Sequence, residues 1–493
     1  MAAPSDGDWP TVGSAGDGGP AGARHHGAVT LTGPDPWVPD LPTPREIVRA
    51  GRLYTPAQLL SPGWLLLEAG IVRGLGQGEP PGHVDRELGA AATVVPGLVD
   101  MHTHGGGGAD MAGADPAQVR AALAWSLTRG VTASVLSTVA APTADLERAI
   151  DVAAGIRAEQ AADWPSTGPG DHRPGPTTRL LGVHLEGPFL SPARRGAHRL
   201  ADLREPTAVD VGRLLSTAPG TVLMVTIAPE LAGAMAAITA IRDAGAVAAV
   251  GHTDADAATT AAAVRAGARV ATHLFNGMRG LHHREPGPPG ALLAADEVVC
   301  ELINDGQHLH PTVVALAHRA AGDGRIALVT DAVAATGAPD GHYRIGAVRV
   351  VSRHGAVRVE DPAAPDRTDA PDRAGAPDRT GPPDRAGPPD RAGPLGSSVG
   401  SSLGGSLGGG AAGLDESLRR AVLDVGLPFA TALAAITSTP AAALGVGDRV
   451  GSIAVGRAAD LCVLDADLRV QAVCVGGRWL ADRHGGLSAT LSA

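Results

Sequence analysis

Residues 180–189 read Leu180-Leu-Gly-Val-His184-Leu-Glu186-Gly-Pro-Phe189, a short apolar run with its polar groups gathered at the carboxyl end and a Gly-Pro break behind them. Such a run, bounded by turn residues, reads as a buried strand. Seven other runs share the pattern: Thr93–Met101, Val131–Thr138, Val222–Ile227, Ala246–Val250, Arg269–Thr272, Val298–Ile303 and Arg325–Val329. Ala-rich helical candidates separate most of them, at Pro116–Thr128, Ala144–Gln160, Leu231–Ala244, Ala255–Ala266 and Pro311–Ala321. Eight strand–helix units predict an α/β fold closed as a (β/α)8 TIM-type barrel over 96–447, rather than an open doubly wound sheet.

Outside the barrel the patterning changes. Segments 45–95 and 448–485 hold short apolar runs such as Leu65–Leu67, Ile71–Val72, Leu461–Leu464 and Ala472–Val475, with Gly-containing turns and no helical stretch between them. Neither could bury a core alone, so they predict one small β domain built from both chain ends. Residues 1–44 lack periodicity and read as a disordered leader. Within the barrel, 361–413 reads as a low-complexity loop insertion. Pro-Asp-Arg recurs at Pro365, Pro371, Pro377, Pro383 and Pro389 without apolar residues to stack, and a Gly/Ser/Leu stretch follows.

Composition excludes several functions. Aromatics are 2% of the 493 residues and the formal net charge is −11, against stacking on single strands and against a general polyanion binder, so no nucleic-acid partner is expected. No lysine occurs, which removes Schiff-base, P-loop and carbamylated-lysine chemistry. Cys300, Cys462 and Cys474 are too few and scattered for a disulfide framework, and neither a signal peptide nor an apolar span stands out. A cytoplasmic protein without a membrane partner is expected.

The polar residues at the run ends carry the chemistry. They are His102-Thr-His104, His184-Leu-Glu186, Gly251-His252-Thr-Asp254, His273-Leu-Phe-Asn276, Asn304-Asp305-Gly-Gln-His308 and Thr330-Asp331. In such barrels the carboxyl ends of the strands form the catalytic mouth, so these groups converge. Imidazole with carboxylate suits a divalent cation, zinc or iron. Any one of these histidines alone has an ordinary reading as a hydrogen-bonded core residue.

In order along the chain, Pro96-Gly-Leu-Val-Asp-Met-His-Thr-His104-Gly, His184-Leu-Glu-Gly-Pro-Phe189, Gly196-Ala-His198, Gly251-His-Thr253, His273-Leu-Phe-Asn-Gly-Met278, Arg284-Glu-Pro-Gly287, Asp305-Gly-Gln-His308 and Thr330-Asp331-Ala resemble the N-acetylglucosamine-6-phosphate deacetylases of the amidohydrolase superfamily. The likeness runs from about Ile47 to Leu480, apart from the repeats. It implies hydrolysis of the acetamide of N-acetylglucosamine 6-phosphate, in amino-sugar catabolism and recycling. Metal ligands map onto Glu186, His252 and His273, with zinc the expected ion, and His102 and His104 could complete a second site, giving one or two ions per subunit. Asp331 takes the place of the general base, its alternative being a helix N-cap, and His308 that of the group polarising the acetyl carbonyl.

Substrate contacts carry over to Ala197, His198, Asn276, Gly277, Arg284 and the loop Asp305, Gly306, Gln307 and His308. Arg284 is the expected phosphate partner, with a surface salt bridge as its ordinary reading. A homodimer is expected, in which this arginine can reach the neighbouring site. The family's Leu-Ala-Gly-Ser wall matches Leu407, Gly408, Gly409 and Gly410 in register with Leu414–Arg419, without its serine, or Leu403–Ser406 with a gap. Tyr343–Val351 and Ala356–Val359 match a hairpin of the family. Competing readings are an amidohydrolase acting on a cyclic amide or an unphosphorylated N-acetyl sugar, and a catalytically silent sugar-binding barrel.

Overall fold

The computed structural model describes residues 45–162, 177–360 and 406–480. The leader, the Pro-Asp-Arg repeats and, of the Leu403–Ser406 register, all but Ser406 lie outside the described residues; Ser406 lines the cleft described below. Eight parallel strands follow in chain order: β1 (Leu98–Asp100), β2 (Val131–Thr138), β3 (Arg179–Glu186), β4 (Val222–Ile227), β5 (Val247–Val250), β6 (Val270–Ala271), β7 (Val299–Ile303) and β8 (Ile326–Val329), each bonded to the next. Closure from β8 to β1 comes just past the strand ends. There Asp331 N donates to the His102 carbonyl at 2.9 Å and His104 N to the Ala332 carbonyl at 2.7 Å.

Val99, Met101, Val135, Met224, Val270, Ile303 and Val329 fill the barrel interior, and the opposite strand faces pack against the helices. Helix starts follow local chemistry. Asp115 caps Pro116–Leu127 by accepting from Ala117 N and Gln118 N, with proline where a missing N–H costs nothing.

The run Thr93–Met101 divides at Pro96-Gly97. Thr93–Pro96 pairs antiparallel with Leu461–Leu464 from the far end of the chain, and only Leu98–Asp100 enters the barrel. The resulting six-stranded sheet has the order Arg478–Trp479, Val470–Val475, Leu461–Leu464, Thr93–Pro96, Arg52–Tyr54, Leu59–Leu60, so it draws on both chain ends. A four-stranded sheet of Glu46–Ala50, Gly63–Glu68, Ile71–Gln77 and Arg86–Glu87 shares its core with it.

Two readings are corrected. Tyr343–Val351 is two strands, Gly341–Ile345 and Val348–Arg353, because the chain reverses between them at Gly346; Ala356–Val359 completes a three-stranded sheet. That sheet lays Ile345, Val348, Val350 and Val357 over Val139 and Val333 at the mouth. Residues 406–413, assigned by composition to the insertion, instead build the barrel's wall. Leu407 bridges to Arg358 and Gly410 to Ala332, and Gly410 lies so close that a Cβ there would sit 1.9 Å from the Thr330 carbonyl oxygen. Among the described residues no helix is long and apolar enough to cross a membrane.

Candidate active site

A cleft of about 230 Å³ opens at the carboxyl ends of the strands. His104, Glu186, His198, His252, His273, His308 and Asp331 line it on its polar side, with Ala197, Asn276, Gly277, Leu407 and Gly409 around them. His102 lies behind His104, with the two Nε2 atoms 3.3 Å apart.

Glu186, the last residue of β3, is the hub. Its Oε1 lies 3.1 Å from His252 Nε2, 2.8 Å from His273 Nε2 and 3.6 Å from His102 Nε2. Its Oε2 lies 3.2 Å from His104 Nε2 and 3.4 Å from His198 Nε2. Asp331 Oδ1 faces His104 Nε2 at 3.2 Å and His102 Nε2 at 3.5 Å. Two sets of groups therefore stand close enough to hold an ion: His102, His104 and Asp331, and Glu186 with His198 and His252.

Hydrogen bonds on the far side of each ring decide which of these imidazoles can be ligands. A carbonyl or an ionised carboxylate only accepts, so a ring nitrogen facing one must carry the proton. His252 Nδ1 lies 2.8 Å from the Arg194 carbonyl, His104 Nδ1 3.1 Å from the Ser137 carbonyl, and His102 Nδ1 2.9 Å from Glu301 Oε2. In the neutral rings all three Nε2 lone pairs therefore face Glu186 and Asp331. Acceptor confronts acceptor, an arrangement that only cations or protons can hold together, so the donor set fits a metal. His198 is the exception. The Ala140 N–H donates to its Nδ1 at 3.0 Å, so its Nε2 carries the hydrogen and points into the cleft as a donor, not a ligand.

Electrostatics agree. Burial opposes charge on Glu186, yet the surrounding imidazoles hold its carboxyl well below the usual range. Burial opposes charge on His104 too, but hydrogen bonds to Asp331 and Glu186 prevail and raise it to about 9; His102 is raised well above its ordinary value by Glu301 and Glu186. Without a metal, the carboxylates draw protons onto these rings, which a cation would displace. Burial pushes His198 down to about 4, so its ring is neutral.

His308 is built differently. Its Nδ1 meets Asp305 Oδ2 at 2.9 Å, and Asp305 also accepts from Gln307 N, His308 N and Ala411 N. Burial disfavours charge on either group, yet their pairing raises His308 and lowers Asp305 to about 2. The pairing favours the imidazolium form, whose Nε2–H would face the cleft. Asp305, Gly306, Gln307, Gly408 and Gly410 do not line the cleft themselves: Asp305, Gly408 and Gly410 are buried behind the loops that do, and Gly306 and Gln307 are exposed.

Backbone strain gathers here. His252, His273 and Asp331 have φ of +46°, +27° and +47°, a region non-glycine residues rarely enter. Gly277, at φ +58°, leaves room for a ring: a Cβ there would stand 2.8 Å from His252 Nδ1. No helix begins at Asp331, which excludes the N-cap reading. His184 is the ordinary core histidine, bonded to Ser137 Oγ at 3.0 Å and Thr226 Oγ1 at 2.8 Å. Arg284 is exposed and away from its own cleft. Reading by strand ends missed Glu301, a lone carboxylate inside the apolar run of β7, whose oddity there was the available signal.

Comparison with known proteins places the arrangement. Residues 93–480 match the profile of the amidohydrolase family. An N-acetylglucosamine-6-phosphate deacetylase of Vibrio furnissii is 30% identical, over 81% of this chain and 86% of that protein. An N-acetylgalactosamine-6-phosphate deacetylase of Escherichia coli O157:H7 is also 30% identical, over 88% of this chain and 98% of that protein. Among solved structures, a variant N-acetyl-D-glucosamine-6-phosphate deacetylase of Mycobacterium smegmatis in complex with N-acetyl-D-glucosamine-6-phosphate superposes with a TM-score of 0.72 at 38% identity, covering 88% of this chain and 99% of that one.

Proposed function

Since the chain belongs to the amidohydrolase family, among its N-acetylglucosamine-6-phosphate deacetylases, we propose that the cleft hydrolyses the acetamide of N-acetylglucosamine 6-phosphate to glucosamine 6-phosphate and acetate. The observation that carries this reading is the convergence of imidazole nitrogens on Glu186, beside Asp331, whose carboxyl is held below the usual range, and His308, raised by Asp305.

Glu186, His252 and His273 would hold one divalent cation, and His102 and His104 could complete a second site beside Asp331. Imidazole and carboxylate donors suit zinc, with iron as the other expected ion, and such a cation supplies Lewis-acid charge that acidifies water and polarises the acetyl carbonyl. Asp331 takes a proton from the attacking water. Burial opposes its ionisation, but His104 and His102 hold its carboxyl below the usual range, so it stands ready as a base. As the carbon–nitrogen bond breaks, Asp331 returns the proton to the departing amine. His308 Nε2–H stabilises the oxyanion between these steps. His198, fixed as a donor by Ala140, binds a substrate oxygen, and Val139, Val333, Ile345 and Leu407 give the cleft apolar walls.

Arg284 completes the site from outside. Its place away from its own cleft supports a homodimer in which it grips the 6-phosphate in the neighbouring subunit. Three free, buried cysteines support a reducing, cytoplasmic setting.

Acetate release tests the reading, measured on N-acetylglucosamine 6-phosphate beside its 4-epimer and the unphosphorylated sugar. Preference for the glucosamine phosphate is expected. Preference for the epimer would move the substrate towards that of the Escherichia coli relative. Equal rates with and without phosphate would overturn the phosphate assignment, and no release from any of them would favour a silent barrel or a cyclic amide.

A further inference from the structure

Glu301 stands on β7 with its side chain wholly buried, behind the cleft rather than lining it. Burying a carboxylate is costly unless something exacts it, and this one is only half used. Oε2 accepts two hydrogen bonds, from His102 Nδ1 at 2.9 Å and from the His273 backbone N–H at 3.0 Å. Oε1 makes no hydrogen bond among the described residues. Glu301 engages only the oxygen that touches both ligand sets.

We infer that Glu301 is a positioning residue for the metal centre, holding His102 with its Nε2 lone pair toward the cleft while pinning the His273 backbone in its strained conformation. The inference rests on the metal reading of the cleft. His102 follows β1 and His273 follows β6, on opposite sides of β7, so one oxygen ties an imidazole of the second ligand set to the backbone of the first. Because an ionised carboxylate only accepts, the contact forces the proton of His102 onto Nδ1. Without it the ring could turn or exchange tautomers, and Nε2 would cease to be a ligand. The His273 N–H needs an acceptor for a different reason. At φ +27° its amide is turned out of the strand ladder, and Glu301 supplies the bond that the ladder does not. Carboxylates behind ligating imidazoles fix ring orientation and strengthen the nitrogen as a donor, and their loss commonly weakens metal binding by about 10- to 100-fold.

The test is cobalt(II) binding by the full-length protein, followed by the visible absorption of the bound ion and by competition with a graded chelator. Glu301→Gln keeps the shape and one accepting oxygen but removes the charge. Cobalt affinity should fall about 10- to 100-fold with an altered spectrum, while the melting temperature of the chelator-treated protein stays at the wild-type value. In a His102→Asn background the same substitution should cost much less, since its main route of action is gone. If Glu301→Gln does not fold, Glu301→Asp takes its place: it keeps the charge but draws back by one methylene, and should lose affinity to a similar degree. Wild-type affinity and spectrum in the folded variant would overturn the inference and leave Glu301 a strand brace. Failure of the wild-type protein itself to bind cobalt or zinc would overturn the metal reading and this inference with it.

Discussion

Two clusters of buried charge lie at opposite ends of the barrel, and they are assembled on opposite rules. At the amino-terminal end Arg179, the first residue of β3, forks onto Asp460, with Nε to Oδ2 at 2.9 Å and Nη2 to Oδ1 at 2.8 Å. Gly476 N adds a third donor to the same carboxylate at 2.7 Å. Donors meet acceptors, no backbone is strained, and the pair rivets the barrel to the sheet of the chain ends. Seven residues further along the same strand, Glu186 meets five imidazole nitrogens, several of which present lone pairs to it, with His252, His273 and Asp331 at positive φ. One end is complete as a protein, while the other becomes complete only when something positive enters it. Stability and chemistry have been assigned to the two ends of a single strand.

That contrast can be broken by substitution. The largest effect is expected at the mouth. Asp331→Asn should lower kcat by about 10²- to 10⁴-fold, as removal of a general acid–base does. Bound metal, by elemental analysis, should be largely retained and urea stability undiminished; near-normal turnover would remove Asp331 from its role. Arg179→Met probes the other end. It leaves Asp460 buried without its cation, so stability should fall by roughly 3–5 kcal/mol in urea unfolding, with turnover per folded molecule unchanged. Loss of turnover in proportion to stability would mean that the two ends are not separable.

Arg284→Ala sharpens the picture of what reaches the mouth from outside. Losing a charge-assisted contact of roughly 1.5–3 kcal/mol should raise KM for the phosphorylated sugar about ten- to a hundredfold and leave the unphosphorylated sugar nearly untouched. Mixed with inactive Asp331→Asn, this variant should regain activity as subunits exchange, if the arginine serves its neighbour. The smallest effect is a shift in pH dependence. Asp305 raises His308, so the imidazolium persists to higher pH than usual and its contribution is lost as pH rises through that raised value. Asp305→Asn removes the charge, lowers His308, and should move the alkaline limb of kcat/KM to lower pH with the acid side little altered. An unmoved limb would show that His308 acts as a neutral ring.

The fold was legible because buried parallel strands leave continuous apolar runs, and the mouth because its polar residues sit where those runs stop. Glu186, His252, His273 and Asp331 could be placed in this way. Relations set by the third dimension could not. His184 and Glu186 occupy the same run end, yet the first is satisfied by two hydroxyls and the second is the hub, and nothing local separates them. The donor role of His198 depends on an amide from Ala140, a distant residue brought beside it by folding. The reversal at Gly346 was hidden by apolar residues on both of its sides, and composition placed 406–413 with the repeats although Gly410 threads against Thr330.

The central claim is that the lone pairs converging on Glu186 exist to hold a cation used in deacetylation. It is tested most directly by measuring acetate release from N-acetylglucosamine 6-phosphate against bound divalent metal per subunit, through removal by a chelator and stepwise return of zinc or iron. The account predicts release that falls to background with the metal and climbs back in proportion to it, in a protein that stays folded throughout. Full turnover by the metal-free protein, or restored metal without restored turnover, would contradict it.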